Sequence, residues 1–207
     1  MKKTLLLAIL IIFPVVLVFN SHAITTSGVI SSEETWSGEV VLTGDVTVAG
    51  MGKLTIMPGT VVKCQPKSDD QQSGGDKTVI ELTIDGGELV ALGTESGRIT
   101  FTSAGAKPEK GDWYGIKVLK GIVTIQYCDE SYGRCGLYAL VPMPGGVKNC
   151  SFNNNIDEGA WTKALGRFID CKFSNSIYGV YFENSLRLEK CEAVSNAKEG
   201  VTGTGDA

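Results

Sequence analysis

Glycine sets a beat through the second half of this chain. Gly115, Gly136, Gly159, Gly179 and Gly200 are separated by 21, 23, 20 and 21 residues, and each precedes an apolar residue: Ile116, Leu137, Ala160, Val180 and Val201. A second column runs in phase through Cys128, Cys150, Cys171 and Cys191. A third, of Asn or Ser, follows it at Ser131, Asn154, Asn175 and Asn196, the last displaced by one. A period near 21 is too short for paired-helix repeats, which need more than ~30 residues. The segments inside each period are short and β-prone ("IVTIQYC", "RFIDCKF", "YGVYF"), bounded by Gly, Asn, Ser or Asp. Such strands predict a parallel β-helix whose laps lie about 4.8 Å apart, like residue over like residue. "NCSFNNN" at 149–155 returns as "DCKFSNS" at 170–176 because the chain has gone once around.

The earlier half carries the same grammar more loosely. "EVVLTGDVTVAGMGKLTIMPGTVVKC" is a run of Val, Leu and Ile strands cut by Gly and Pro, and alternation in Leu54-Thr55-Ile56 and Ile99-Thr100-Phe101 turns one face inward. The expected fold is all-β: a right-handed parallel β-helix of roughly seven to eight coils, since parallel crossovers are right-handed. Irregular coils are expected over 24–110 and regular repeats over 111–207. The chain stops at "AKEGVTGTGDA" without the polar cap that usually closes a solenoid, which predicts truncation at the C-terminus.

The start reads as an address. Two lysines precede an apolar run from Leu5 to Phe19, and Ser21-His22-Ala23 offers small residues at a cleavage point. Residues 1–23 are therefore expected to be a secretory signal peptide, placing the protein in the periplasm, at the cell surface or outside the cell. The run is broken by Pro14 and falls short of the ~20 residues that span a bilayer, so no membrane association beyond the signal is expected. Cleavage would remove the only histidine, His22, and with it any imidazole-based triad or His zinc site. It would also remove two lysines and no acid from a chain of net charge −4, leaving no basic footprint for nucleic acid.

"TWSGEVVLTGDVTVAGMGKLTIMPGTVVK", "LTIDGGELVALGTESGRITFTSA" and "GDWYGIKV" together resemble the N-terminal part of bacterial exported right-handed parallel β-helix repeat proteins of the pectin-lyase-like superfamily. "NCSFNNN" and "DCKFSNSIYGVYF" are similar to the generic repeats of those proteins. The resemblance implies the fold and leaves activity open, since this scaffold hosts lyases, hydrolases, epimerases and adhesins. The family's galacturonan hydrolases use a Gly-His-Gly with an Asp-Asp, and its lyases use calcium carboxylates with a basic residue. Neither pattern is recognisable around Arg98, Arg134, Arg167 or Arg187.

Several residues are candidates for function. If the residue after each register glycine points in, the next points out. That places Lys117, Tyr138, Trp161, Tyr181 and Thr202 in one outward stripe, and Tyr138, Trp161 and Tyr181 become the expected ligand-binding residues for a polysaccharide. The competing role is sheet reinforcement, worth about 0.2–1 kcal/mol per neighbouring pair; Phe182 fits either the stripe or the interior. Asp69, Asp70 and Asp76, in the polar insertion "KSDDQQSGGDK", are the only calcium candidates; a solvated loop is the expected reading. No other cofactor is expected. Asp129, Glu130, Asp157 and Glu158 could perform carboxylate chemistry and are expected to face solvent. The four column cysteines are expected as a buried free-thiol ladder, with Cys64 and Cys135 apart and a Cys128–Cys135 bridge as the alternative. Asn154, Asn175 and Asn196 are expected to stack as a structural ladder. The expected function is a binding or structural module that presents one face to a polysaccharide or cell-surface partner. The alternatives are a polysaccharide lyase or glycoside hydrolase, and a passive scaffold segment of a larger surface protein.

Overall fold

The computed structural model describes residues 23–205. The signal peptide expected over 1–23 lies, apart from Ala23, outside them. Every described strand pairing is parallel, and each strand pairs with the one a lap before and a lap after. The coil has three faces. The ladder face holds Val61–Cys64, Ile99–Ser103, Cys128–Ser131, Ser151–Asn153, Lys172–Ser174 and Glu192–Val194. The stripe face holds 81–85, 115–120, Cys135–Ala139, Glu158–Thr162, Tyr178–Phe182 and Val201–Gly203. A third face runs from Glu33–Trp36 up to Leu186–Glu189. Among the described residues no helix is long and apolar enough to cross a membrane.

The interior is built of stacked columns. On the ladder face Val40, Val62, Phe101, Glu130, Phe152, Phe173 and Ala193 lie one above another. Beneath the stripe Val46, Leu82, Ile116, Leu137, Ala160, Val180 and Val201 do the same. Phe152 and Phe173 stack at 5.5 Å, and Phe168 meets Phe173 edge-on at 5.2 Å from the third face. Phe182 points inward and is buried. These rings are among the largest buried side chains of the upper coils.

The glycine register has a steric cause. A Cβ on Gly136 would lie 2.6 Å from the carbonyl oxygen of Gly159, and one on Gly159 would lie 2.7 Å from that of Gly179. Successive laps approach too closely there for any side chain.

The corners repeat as well. Tyr127, Asn149, Asp170 and Lys190, each just before a column cysteine, have φ of 50°, 54°, 51° and 53°. Tyr132, Asn154, Asn175 and Ser195 form the second such column, at 66°, 58°, 58° and 56°. Asn and Asp tolerate this left-handed conformation best, so the amides are corner residues. Between these corners each column thiol donates to the carbonyl two residues earlier, as Cys150 Sγ does to Lys148 O at 3.1 Å and Cys171 Sγ to Ile169 O at 3.3 Å. All six cysteines are free thiols, and no Cys128–Cys135 bridge forms. Burial pushes the Cys150 thiol up, and a hydrogen bond donated to Cys150, with burial, does the same to Cys171. These are packing groups, not nucleophiles.

The asparagine column needs correcting. Asn154 and Asn175 stand in register at the corner, but Asn196 belongs to the next column inward, with Ser176 and Asn155. There Asn155 Oδ1 accepts the Gly133 amide at 2.7 Å, Asn155 N donates to Ser176 Oγ at 3.3 Å, and Ser176 N donates to Asn196 Oδ1 at 3.1 Å. The column carries hydrogen bonds across the corner, where strand pairing stops.

Candidate functional site

The stripe stands in register: Lys117, Tyr138, Trp161, Tyr181 and Thr202 are successive partners on one face. The ring geometry departs from a flat platform. Tyr138 and Trp161 stack on each other at 4.5 Å with planes 7° apart. Rings on adjacent strands of a parallel sheet have this spacing available, so they cover each other and turn their edges outward. Tyr114 meets Tyr138 edge-on at 6.4 Å, and Tyr181 turns toward Tyr178, with ring centres 6.3 Å apart.

Lys117 does not face solvent. Its ammonium is 2.9 Å from Glu81 Oε2 and 4.6 Å from the centre of the Tyr114 ring, and only 8 % of the residue is exposed. The polar insertion lies over it; most of the insertion's residues are exposed, as expected of a solvated loop, while its backbone also docks on buried carboxylates. Glu81 accepts the amides of Gly75 and Asp76 at 3.1 and 3.0 Å, and Asp45 accepts Ser73 Oγ at 2.8 Å. Burial raises the Asp45 carboxyl above its ordinary range.

The three calcium candidates serve separate partners. Asp69 accepts the backbone amides of Asp45, Gln71 and Ser73. Asp70 accepts Thr43 Oγ1 at 2.5 Å, and Asp76 accepts Thr78 and pairs with Arg134 at 3.1 Å. Among the described residues no group of three or more His, Cys, Asp or Glu side chains converges as metal ligands would.

The four carboxylates differ sharply. Asp129 pairs with Arg98 on the ladder face at 2.7 Å. Glu130 points into the core and is 1 % exposed, which corrects the solvent-facing expectation. Asn155 Nδ2 donates to its Oε2 at 2.9 Å, while Oε1 has no well-formed hydrogen bond. Burial pushes its carboxyl up to about 8. Asp157 and Glu158 lie on the stripe face beside the stacked rings. Asp157 pairs with Arg134 at 3.4 Å. Half-burial, and secondarily the Asp157 charge, push Glu158 up to about 7.

These groups share one cleft of about 390 Å³, lined by Tyr114, Arg134, Cys135, Tyr138, Asp157, Glu158 and Trp161. Register sets Tyr138 of one lap against Trp161 and Glu158 of the next; Tyr181 is the following stripe partner but not a lining residue. Tyr114 is not singled out from sequence, Arg134 figures there only as an arginine outside a recognisable lyase pattern, and the insertion only as a loop with calcium candidates. Tyr114 does precede a register glycine, a signal that could have found it. Chemically the cleft offers an apolar edge wall, two phenols, one carboxyl that holds a proton near neutral pH, and an Arg134 already clamped by carboxylates.

A family model described as a pectate-lyase-like β-helix domain matches residues 28–131. No curated protein and no solved structure matches the chain significantly. The match spans the lower coils and includes Tyr114, whereas Arg134, Tyr138, Glu158 and Trp161 lie above it.

Proposed function

Because this chain belongs to the pectate-lyase-like β-helix domain family, we propose that it is an exported module that binds a polysaccharide along its stripe face. The cleft around Trp161 is the contact point. One observation carries the reading: a stacked Tyr138–Trp161 pair and the Glu158 carboxyl open into the same cleft. Sugar rings present C–H faces and hydroxyls at once, and such ligands suit an aromatic wall set beside a few polar groups. A rigid, laterally smooth solenoid suits an extended chain better than a small molecule. The sequence of residues 1–23 supports delivery outside the cytoplasm.

A glycan array probed with the chain tests the proposal. Binding to a polysaccharide that disappears in Trp161→Ala and weakens in Tyr138→Ala is the expected result. Wild-type protein that binds no glycan contradicts it.

Glu158 favours a second reading. A carboxyl titrating near 7 beside Asp157 could deliver a proton to a glycosidic oxygen. Release of reducing ends from pectin, alginate or related polymers, lost in Glu158→Gln, would support it. No release, with and without calcium, removes it.

A further inference from the structure

The charges in the cleft are unevenly matched. Arg134 lies between Asp76 at 3.1 Å and Asp157 at 3.4 Å, so its cation is already met twice. Lys117 is buried against Glu81. Glu158 has no ion-pair partner among the described residues, although it lines the cleft. A uronate carboxylate entering this space would sit beside Asp157 and Glu158 and find no free cation. Like charges brought together in a partly dry site oppose binding, a common source of specificity.

A positively charged ligand meets the opposite situation. The chain already makes such a contact outside the cleft, where the buried Lys117 Nζ lies over the Tyr114 ring and against the Glu81 carboxylate. Within the cleft Glu158 offers a carboxylate, with the Tyr138 and Tyr114 hydroxyls as further acceptors.

We infer that the cleft selects glycans carrying free amino groups, that is polymers of 2-amino sugars, with Glu158 as the acceptor of the ammonium, and that it rejects uronate polymers. This inference rests on the carbohydrate-binding reading and adds the substrate class. The raised titration of Glu158 agrees with it, since burial and the neighbouring Asp157 leave that carboxyl short of a cation. A bound ammonium supplies one, and Glu158 releases its proton on binding.

Calorimetry on the full chain at about pH 6.5 distinguishes the outcomes, with three hexasaccharides as probes: glucosamine, N-acetylglucosamine and galacturonate. The glucosamine hexamer is expected to bind at least about tenfold more tightly than its acetylated counterpart, the worth of one charge-assisted hydrogen bond. The galacturonate hexamer is expected not to bind. Glu158→Gln should bring glucosamine down to the acetylated level, whereas Trp161→Ala should weaken both. Equal affinity for the amino and acetylated hexamers, or preference for galacturonate, overturns the charge selection while the carbohydrate reading stands. Absence of binding to any of the three, together with an empty array, overturns both.

Discussion

The lower and upper coils bury carboxylates in different ways. In the lower coils Glu81 lies under the insertion against the Lys117 ammonium and takes two further amides. In the upper coils Glu130 occupies an apolar column between Phe101 and Phe152, with one amide donor and no cation. A buried carboxylate with a partner cation contributes as part of a network, and breaking the network is costly. A buried carboxyl without one keeps its proton. The lower arrangement makes a buried ion pair that anchors the insertion, and the upper one makes a neutral core element sensitive to pH.

The largest expected effect breaks the lower arrangement. Lys117→Met leaves Glu81 buried without its cation and should cost about 3–5 kcal/mol in urea unfolding. The insertion should also become open to limited proteolysis around 67–77. Adding Glu81→Leu to Lys117→Met should recover much of that stability, since the pair is then absent rather than broken.

Glu130→Gln sharpens the upper half of the comparison. The folded carboxyl titrates near 8 and its ordinary value is 4.5, so the folded state holds the proton more tightly than the unfolded chain. The stability Glu130 permits is therefore complete below about pH 4.5 and is lost as pH rises through about 8. Glu130→Gln should flatten that slope, raising stability by roughly 5 kcal/mol at pH 9 and leaving it nearly unchanged at pH 4. An identical slope in wild type and variant would show that Glu130 is ionised in the fold.

Asn155→Ala comes next. It removes the acceptor for the Gly133 amide and the donor to Glu130. A loss of about 1–3 kcal/mol is expected, larger at alkaline pH, where Glu130 most needs the donor. The smallest effect belongs to an exposed pair: Lys67→Ala, which frees Glu109, should leave the urea unfolding midpoint indistinguishable from wild type.

Much of this was legible in the sequence, and the gaps have physical causes. Stacking makes like residues recur, so the glycine, cysteine and stripe columns could be counted directly. The asparagine column could not, because Asn153-Asn154-Asn155 offers the same residue at three adjacent positions with different roles. Glu130 was readable in principle: Cys128 points in, strand faces alternate, and the second residue on must point in too. Its charge made the solvent reading attractive. The docking of the insertion was out of reach, since Asp45, Glu81 and Lys117 are brought under it only by coiling. Register gives neighbours but not ring planes, so the mutual stacking of Tyr138 and Trp161 appears only in the structure.

The central claim is that ligand enters the cleft at Trp161. Trp36 and Trp113 are 1 % and 0 % exposed, which leaves Trp161 as the tryptophan that solvent can reach. Acrylamide quenching of intrinsic fluorescence, with and without the best oligosaccharide from the array, therefore reads the site directly. The quenchable emission should vanish in Trp161→Phe, and in wild type it should be protected as ligand saturates. Saturating ligand that leaves Trp161 fully quenchable would contradict the account.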